Sequence, residues 1–168
     1  MLPDLPDGIE GLLESRRGPD MAEKRYKLTR TREIEGFQHA KDDYWMQPLV
    51  FGKNIFTYKA SVPPGGFMPP HDDGGHENEL SFYMLQGELE MTIDREVFKA
   101  VPGDAIHIHP MAALGVNNRG KTVASFLLTF YPSPTGAFSS LEAMRKRWAE
   151  KAPQSVKSAA AMEALSKG

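Results

Sequence analysis

The fold is predicted from two stretches of sequence, FYMLQGELEMTID at residues 82–94 and VPGDAIHIHP at residues 101–110. Both stretches carry β-branched or aromatic residues, which favour strands. Each also contains a turn or bend signal, Gln86-Gly87 in the first and Pro102-Gly103-Asp104 in the second. Short strands joined by tight turns are therefore predicted in this part of the chain.

The same pattern of short strands and turns extends outward from these stretches. Strands are predicted at residues 49–62, 80–93, 97–101, 105–108, 115–118 and 122–131. Turn signals recur about every 8–12 residues, a spacing typical of an all-β sandwich or barrel. We expect an N-terminal arm at residues 1–45, a barrel at residues 46–135 and a helical extension at residues 136–168.

The C-terminal extension changes from a strand pattern to a helical one. Ser139 and Glu142 have the spacing of a capping box, and Leu141, Met144 and Trp148 then repeat at helical intervals. A proline at position 153 is expected to end this helix. The alanine-rich tail at residues 155–166 is either a second short helix or frayed.

Composition excludes several functional classes. The chain has 168 residues, a net charge of −2 and no cysteine, so nucleic acid is not an expected partner, and disulfides and thiolate chemistry are excluded. The N-terminal sequence MLPDLPDGIEG is acidic and broken by prolines, unlike a signal peptide. No apolar run approaches the ~20 residues that span a bilayer. A cytoplasmic protein without a membrane partner is expected.

Four segments resemble the cupin superfamily of small jelly-roll β-barrels: PPGGFMPPH (63–71), FYMLQGELEMTID, VPGDAIHIHP and GVNNRG (115–120). The resemblance covers residues 62–131 and looks most like small bacterial cupins of the quercetin-dioxygenase-like type. It implies an all-β jelly-roll barrel, here with an N-terminal arm and one or two C-terminal helices. It also implies a homodimer and a metal-dependent enzyme of the dioxygenase, isomerase or lyase type. The substrate would be a small organic molecule, aromatic compounds included.

The family's metal-ligand positions are altered in this chain. Cupins usually hold a divalent metal with three histidines and one glutamate, carried by two motifs. Several residues fit those motifs: Gly65, His71, Gly87, Gly103 and Asn118. Leu80, however, stands at the position of the glutamate, and Leu114 at the position of the second motif's histidine. The resemblance therefore does not by itself imply a metal in this protein.

One hypothesis is a relocated metal site, because four of the five histidines lie within 39 residues. The ligands would come from His71, His76 and His109, and the metal would be Fe, Zn, Ni or Mn. His107 and His109 share a strand face, so either can serve. A bulge before Leu80 would turn Glu79 inward as a further ligand, or as a proton-transfer group together with His107.

The alternative hypothesis is a barrel without a metal. Its interior would bind a small apolar ligand through a set of apolar side chains: Leu80, Phe82, Met84 and Leu114. The histidines would then supply hydrogen bonds or acid–base chemistry, or would be ordinary core or interface residues. His39 is expected at the surface or an interface, and Tyr58 is interpreted as a packing residue.

Overall fold

A computed structural model describes residues 24–70, 77–151 and 153–168. Its strands are β1 (Gly36–Gln38), β2 (Trp45–Phe51), β3 (Phe56–Val62), β4 (Phe67–Met68), β5 (Glu79–Gln86), β6 (Leu89–Ile93), β7 (Glu96–Ala100), β8 (Ala105–Ile108), β9 (Leu114–Asn117), β10 (Ala124–Tyr131) and β11 (Val156–Lys157). Its α-helices are α1 (Leu141–Ala149) and α2 (Ala159–Ser166). Short 3₁₀ turns occupy Thr31–Glu33, Gly136–Phe138 and Pro153–Ser155.

The strands form two antiparallel sheets. The larger sheet has seven strands in the order β11-β1-β2-β3-β10-β5-β8, and the smaller has four in the order β4-β9-β6-β7. Strands that are distant in sequence are neighbours in both sheets, as in a jelly roll. The predicted all-β jelly-roll fold with C-terminal helices is confirmed.

The core lies between the two sheets and is formed by the buried side chains that alternate with exposed ones along the strands. In β5, Leu80, Phe82 and Met84 are buried while Glu79 and Tyr83 are exposed. Successive side chains of a strand point to opposite faces, so the apolar half of this strand faces inward. The pairing of β5 with β8 and with the C-terminal half of β10 is regular on either side of Leu80. The bulge considered before Leu80 is absent, and Leu80 rather than Glu79 points into the barrel.

The predicted strand at residues 49–62 is a hairpin of two strands, β2 and β3. The turn between them begins at Gly52, whose amide donates to the carbonyl of Ile55 over 2.7 Å. The segment from residue 80 to residue 93 likewise divides into β5 and β6 around Gly87, which has a φ of 70°. A side chain at Gly87 would also meet the backbone of Ala124 at 2.9 Å, so a glycine suits both the conformation and the space.

The predicted helix is present, but its N-cap is Ser140 rather than Ser139. The Ser140 hydroxyl accepts a hydrogen bond from the amide of Ala143 over 3.0 Å. Ser139 instead donates its hydroxyl to the carbonyl of Gly136, which closes the preceding 3₁₀ turn. The alanine-rich tail forms α2, which begins after its own cap, Ser158. Neither α1 nor α2, nor any other helix in the described segments, is long and apolar enough to cross a membrane.

Part of the predicted N-terminal arm belongs to the larger sheet. Strand β1 pairs with both β2 and β11, and its residue Phe37 is buried against Trp148 of α1. The indole nitrogen of Trp148 donates to the carbonyl of Gln38 over 2.9 Å. Nearby, Arg145 forms a two-pronged ion pair with Glu35, at 2.5 and 3.2 Å. These contacts hold helix α1 against residues 35–38.

Candidate ligand-binding cavity

A cavity of about 210 Å³ lies between the two sheets, near the start of β3 and the end of β10. It exceeds the ~150 Å³ of an engineered protein cavity that holds benzene, so one substituted aromatic ring fits it. Most of its wall is apolar and is formed by Met46, Phe56, Met68, Phe130, Pro134 and Phe138. The polar part of the wall is formed by His39, Asp43, Tyr44 and Tyr58.

The apolar side chains of the wall face the cavity because side chains alternate between the two faces of each strand. In β3, Phe56 and Tyr58 are both buried while the intervening Thr57 is only partly covered. The aromatic rings of Phe56 and Phe130 lie 5.7 Å apart between centroids, within the range of favourable aromatic contacts. Met46 comes from β2 and Met68 from β4, so both sheets contribute to the wall.

The loop before β2 places the polar wall. Asp42 has a φ of 66°, a left-handed conformation that aspartate tolerates better than most residues. Its carbonyl accepts a hydrogen bond from the amide of Phe67 over 2.8 Å, which ties the loop to β4. The next residue, Asp43, is buried, and its carboxylate accepts the amide of Tyr44 over 2.7 Å. These contacts fix Asp43 and Tyr44 at the cavity.

Two tyrosine hydroxyls meet in the cavity wall. The hydroxyls of Tyr44 and Tyr58 are 2.6 Å apart, and both side chains are buried. Burial raises the pKa of each tyrosine well above its usual value, and the nearby charge of Asp43 raises both further. Both tyrosines are therefore neutral phenols at ordinary pH. One hydroxyl hydrogen joins the pair, which leaves the other to be donated to a third group.

His39 lies at the mouth of the cavity and is exposed, in agreement with its predicted surface position. Its ring centroid lies 6.2 Å from that of Trp148, and its carbonyl accepts a hydrogen bond from Lys151 over 2.9 Å. Phe138, on the 3₁₀ turn that precedes α1, forms another part of the same rim. The rim is thus built from the loop before β2 and from the segment after β10.

The residues predicted to bind substrate lie elsewhere in the core. Leu80, Phe82, Met84 and Leu114 are all buried, as an apolar barrel interior requires. They are not among the residues that line the cavity, and Phe82 instead packs on Phe126 with ring centroids 4.6 Å apart. Their proposed contact with a substrate stays a prediction.

The predicted catalytic pair lies on the outer face of the larger sheet. His107 pairs across the strands with Ser81 and is exposed, and its Nε2 atom forms a hydrogen bond with the Glu79 carboxylate. The ring of His109 lies 4.6 Å from that of His107 between centroids. The two histidines therefore do neighbour each other, but on the side of the sheet opposite to the cavity. His71 and His76 lie outside the described residues.

The described residues do not fit the metal site of the cupin family. Leu80 and Leu114, at two of the family's ligand positions, are buried apolar residues with no atom that binds a metal. Within residues 24–70, 77–151 and 153–168, no three His, Asp or Glu side chains are grouped as metal ligands would be. The metal, and the parts assigned to His71, His76, His109 and Glu79, stay predictions.

The two antiparallel sheets and the cavity between them define a jelly-roll β-barrel. Residues 58–130, which run from β3 to β10, match the model of the cupin domain family. The match confirms the superfamily that the sequence motifs indicated. A comparison with curated protein sequences gave no match.

Several solved structures share the fold at low sequence identity. An RmlC-like cupin from Shewanella frigidimarina is 18% identical with a TM-score of 0.57, and the alignment covers 64% of this chain and 92% of that one. A predicted oxalate decarboxylase from Thermotoga maritima is 18% identical with a TM-score of 0.56, covering 63% and 99%. The polyketide cyclase RemF from Streptomyces resistomycificus is 17% identical with a TM-score of 0.55, covering 68% and 89%. At these identities the comparisons show the fold alone.

Proposed function

We propose that this protein binds a small, neutral, largely aromatic molecule in the barrel cavity, with a hydrogen bond from the tyrosine pair. The hydroxyl pair of Tyr44 and Tyr58 within an otherwise apolar wall is the observation that carries the proposal. Ligand sites typically combine such a wall with a few placed polar groups. A cavity of about 210 Å³ limits the ligand to one substituted ring.

The polar groups favour a neutral ligand with a hydrogen-bond acceptor. Tyr44 and Tyr58 are neutral and have one hydroxyl hydrogen to donate beyond their own bond. The negative charge of Asp43, which raises the pKa of both tyrosines, also disfavours an anion at the same end of the cavity. A ketone or another uncharged carbonyl compound satisfies both conditions, whereas a carboxylate does not.

Chemical conversion of the ligand stays a prediction that comes from the family resemblance. The raised pKa of the two tyrosines suits them to donate a hydrogen bond to a carbonyl oxygen rather than to remove a proton at neutral pH. In an enzyme, the same donor would stabilise negative charge that develops on that oxygen. Binding is therefore the part of the proposal to test first.

Three probes of similar shape separate the contributions of the hydrogen bond, the apolar contacts and the ligand's charge to binding. Acetophenone carries a neutral carbonyl acceptor, α-methylstyrene replaces that carbonyl with an apolar group, and benzoate is an anion. Ligand-observed NMR titration is expected to give saturable binding in the order acetophenone, α-methylstyrene, benzoate. The double variant Tyr44→Phe/Tyr58→Phe, which removes both possible donors, should weaken acetophenone by about two- to tenfold, the worth of one neutral hydrogen bond, and leave α-methylstyrene unchanged.

Tyr83→Phe is the matched control, because Tyr83 loses the same hydroxyl on the outer face of the barrel, where it is 45% exposed. It should leave the affinity of all three probes unchanged. Equal losses in the double variant Tyr44→Phe/Tyr58→Phe and in Tyr83→Phe, or benzoate binding tighter than acetophenone, would contradict the proposed site.

A further inference from the structure

A second cavity, of about 250 Å³, lies outside the barrel. Its floor is the outer face of β2 and β3, where Gln47 and Lys59 are cross-strand neighbours. Its walls are the turn Thr31–Glu33 and the last residues of α2. The amide nitrogen of Gln47 donates to the carbonyls of Thr31 and Ile34, over 2.9 and 2.7 Å. These bonds fix the turn against the sheet and hold the cavity in shape.

Lys59 lines this cavity, and its side chain is half-buried. Lys59, Lys151 and Lys157 are half-buried, and the other two have partners: Lys151 lies over the Trp148 ring and bonds to the carbonyl of His39, and Lys157 lies over the ring of Trp45. Among the described residues, no hydrogen bond or ion pair holds Lys59. Burial lowers its pKa, which reflects the cost of keeping a cation partly out of water without a counter-charge.

The charge balance of the cavity favours one negative charge. Arg32 also lines it and lies 4.0 Å from Glu33, both side chains being mostly exposed. Glu163 of α2 contributes the cavity's own carboxylate, which Lys167 already neutralises over 2.7 Å. The hydrogen bond from Lys167 is the main cause of the lowered pKa of Glu163, and Arg32 adds to it. Among the described residues, no carboxylate is therefore available to neutralise the positive charge of Lys59.

We propose that this outer cavity binds a small oxyanion, a carboxylate or phosphate group of single charge, with Lys59 as its main partner and Arg32 as the second. The anion supplies the counter-charge that Lys59 does not receive from the part of the chain that the structure describes. A cation loses hydration as it is buried, and an anion in the cavity offsets that loss for the half-buried Lys59. Lysine binds phosphate as a point charge. The site is separate from the barrel cavity and does not depend on the function proposed for it.

The test is a titration of the full-length protein with inorganic phosphate, and separately with acetate, at constant ionic strength. Chemical shifts in ¹H–¹⁵N NMR spectra report which residues respond. Saturable shifts are expected at Thr31, Arg32 and the β3 residues around Lys59. Lys59→Met, which keeps the length of the side chain, should lower the affinity by about ten- to a hundredfold, the worth of a hydrogen bond to a charged group.

Three further variants make the test specific. Lys53→Met removes the same charge from the exposed turn between β2 and β3 and should leave the affinity unchanged. Arg32→Gln should weaken binding less than Lys59→Met does. If Lys59→Met fails to fold, Arg32→Gln alone tests whether the anion binds in the outer cavity. Glu163→Gln should tighten binding, because it removes the Glu163 carboxylate from the wall.

The comparison of the two probes identifies the source of the anion. Tighter binding of phosphate indicates a phosphorylated ligand, and tighter binding of acetate indicates a carboxylate ligand. Shifts spread over unrelated surface lysines, a response that Lys59→Met leaves intact, or no saturable response at all would each overturn the proposal.

Discussion

Removal of the two buried hydroxyls, one at a time and together, tests whether Tyr44 and Tyr58 act as a unit. Their oxygens are 2.6 Å apart, and the two side chains are 7% and 2% exposed. Tyr58→Phe removes one partner and leaves the Tyr44 hydroxyl in an apolar wall. Tyr44→Phe does the same to Tyr58. The double variant removes both groups and leaves no buried hydroxyl at this position.

The expected energies follow from the cost of an unsatisfied buried group. Each single variant should lower the free energy of unfolding by about 1–3 kcal/mol, since it breaks the bond and strands a hydroxyl. The lower part of that range applies, because the cavity reaches the surface near His39 and water can enter. The double variant should cost less than the sum of the single variants by about 1 kcal/mol or more, because neither hydroxyl remains to be satisfied.

Equilibrium unfolding in urea measures these differences, and thermal unfolding gives a second estimate. In a chain of this length, about 1 kcal/mol shifts Tm by roughly 2–4 °C. Tyr83→Phe is again the control and should change stability by less than about 0.5 kcal/mol, since Tyr83 is exposed on the outer face. Additive effects of the two single variants, within about 0.5 kcal/mol, would refute the paired arrangement.

Three more predictions concern the pH dependence of stability and the contacts of helix α1. The pKa of each buried tyrosine is raised, so the free energy of unfolding should not change with tyrosine ionisation below pH 10, the usual tyrosine pKa. Above pH 10 it should fall by up to about 1.4 kcal/mol per pH unit for each tyrosine. Urea unfolding at several pH values measures this fall, which should be smaller in the double variant Tyr44→Phe/Tyr58→Phe. Arg145 lowers the pKa of Glu35, so Arg145→Gln should cost up to about 1 kcal/mol at pH 7, and that difference should vanish as the pH falls through the Glu35 pKa, below 4.5. Ser140→Ala should destabilise the protein by about 1 kcal/mol in thermal unfolding, and a larger effect from Ser139→Ala would contradict the assigned cap.

The strands were predictable because their signals are local. Turn residues and β-branched runs placed β8 at its observed bounds and β7, β9 and β10 within two residues. Residues 49–62 were predicted as one strand where the structure has the hairpin of β2 and β3, and the two-residue strand β4 was not predicted. The helix cap was missed by one residue because Ser139 and Ser140 are adjacent and chemically equivalent. The choice between them depends on the preceding 3₁₀ turn, which engages the Ser139 hydroxyl and leaves the Ser140 hydroxyl to cap the helix.

The histidine pair shows where a strand pattern is informative and where it is incomplete. Period-two alternation correctly placed His107 and His109 on one face. It left open which face that is, although the answer was present in the intervening isoleucines. Ile106 and Ile108 alternate with the histidines, and the free energy of apolar burial assigns them to the inner face. The histidines are therefore on the outer face.

The cavity was not predictable from local patterns because its wall is assembled from distant segments. Tyr44 stands in a loop within the predicted N-terminal arm, and Tyr58 lies 14 residues further on in β3. Pairing between β2 and β3 brings the two together, and β4 and β10 add Met68 and Phe130. The signal in the sequence was only a tyrosine on the inward, otherwise apolar face of β3, which packing alone also explains.

The central claim, that the barrel cavity is the ligand site, is tested most directly by locating a bound probe. Protein labelled with ¹³C at the methionine methyl groups would be studied with acetophenone by intermolecular nuclear Overhauser effects. Contacts from the aromatic protons to the methyl groups of Met46 and Met68 are the predicted result, since both residues line the cavity. Saturable binding with contacts to the exposed Met111 instead, or no binding at all, would contradict the claim.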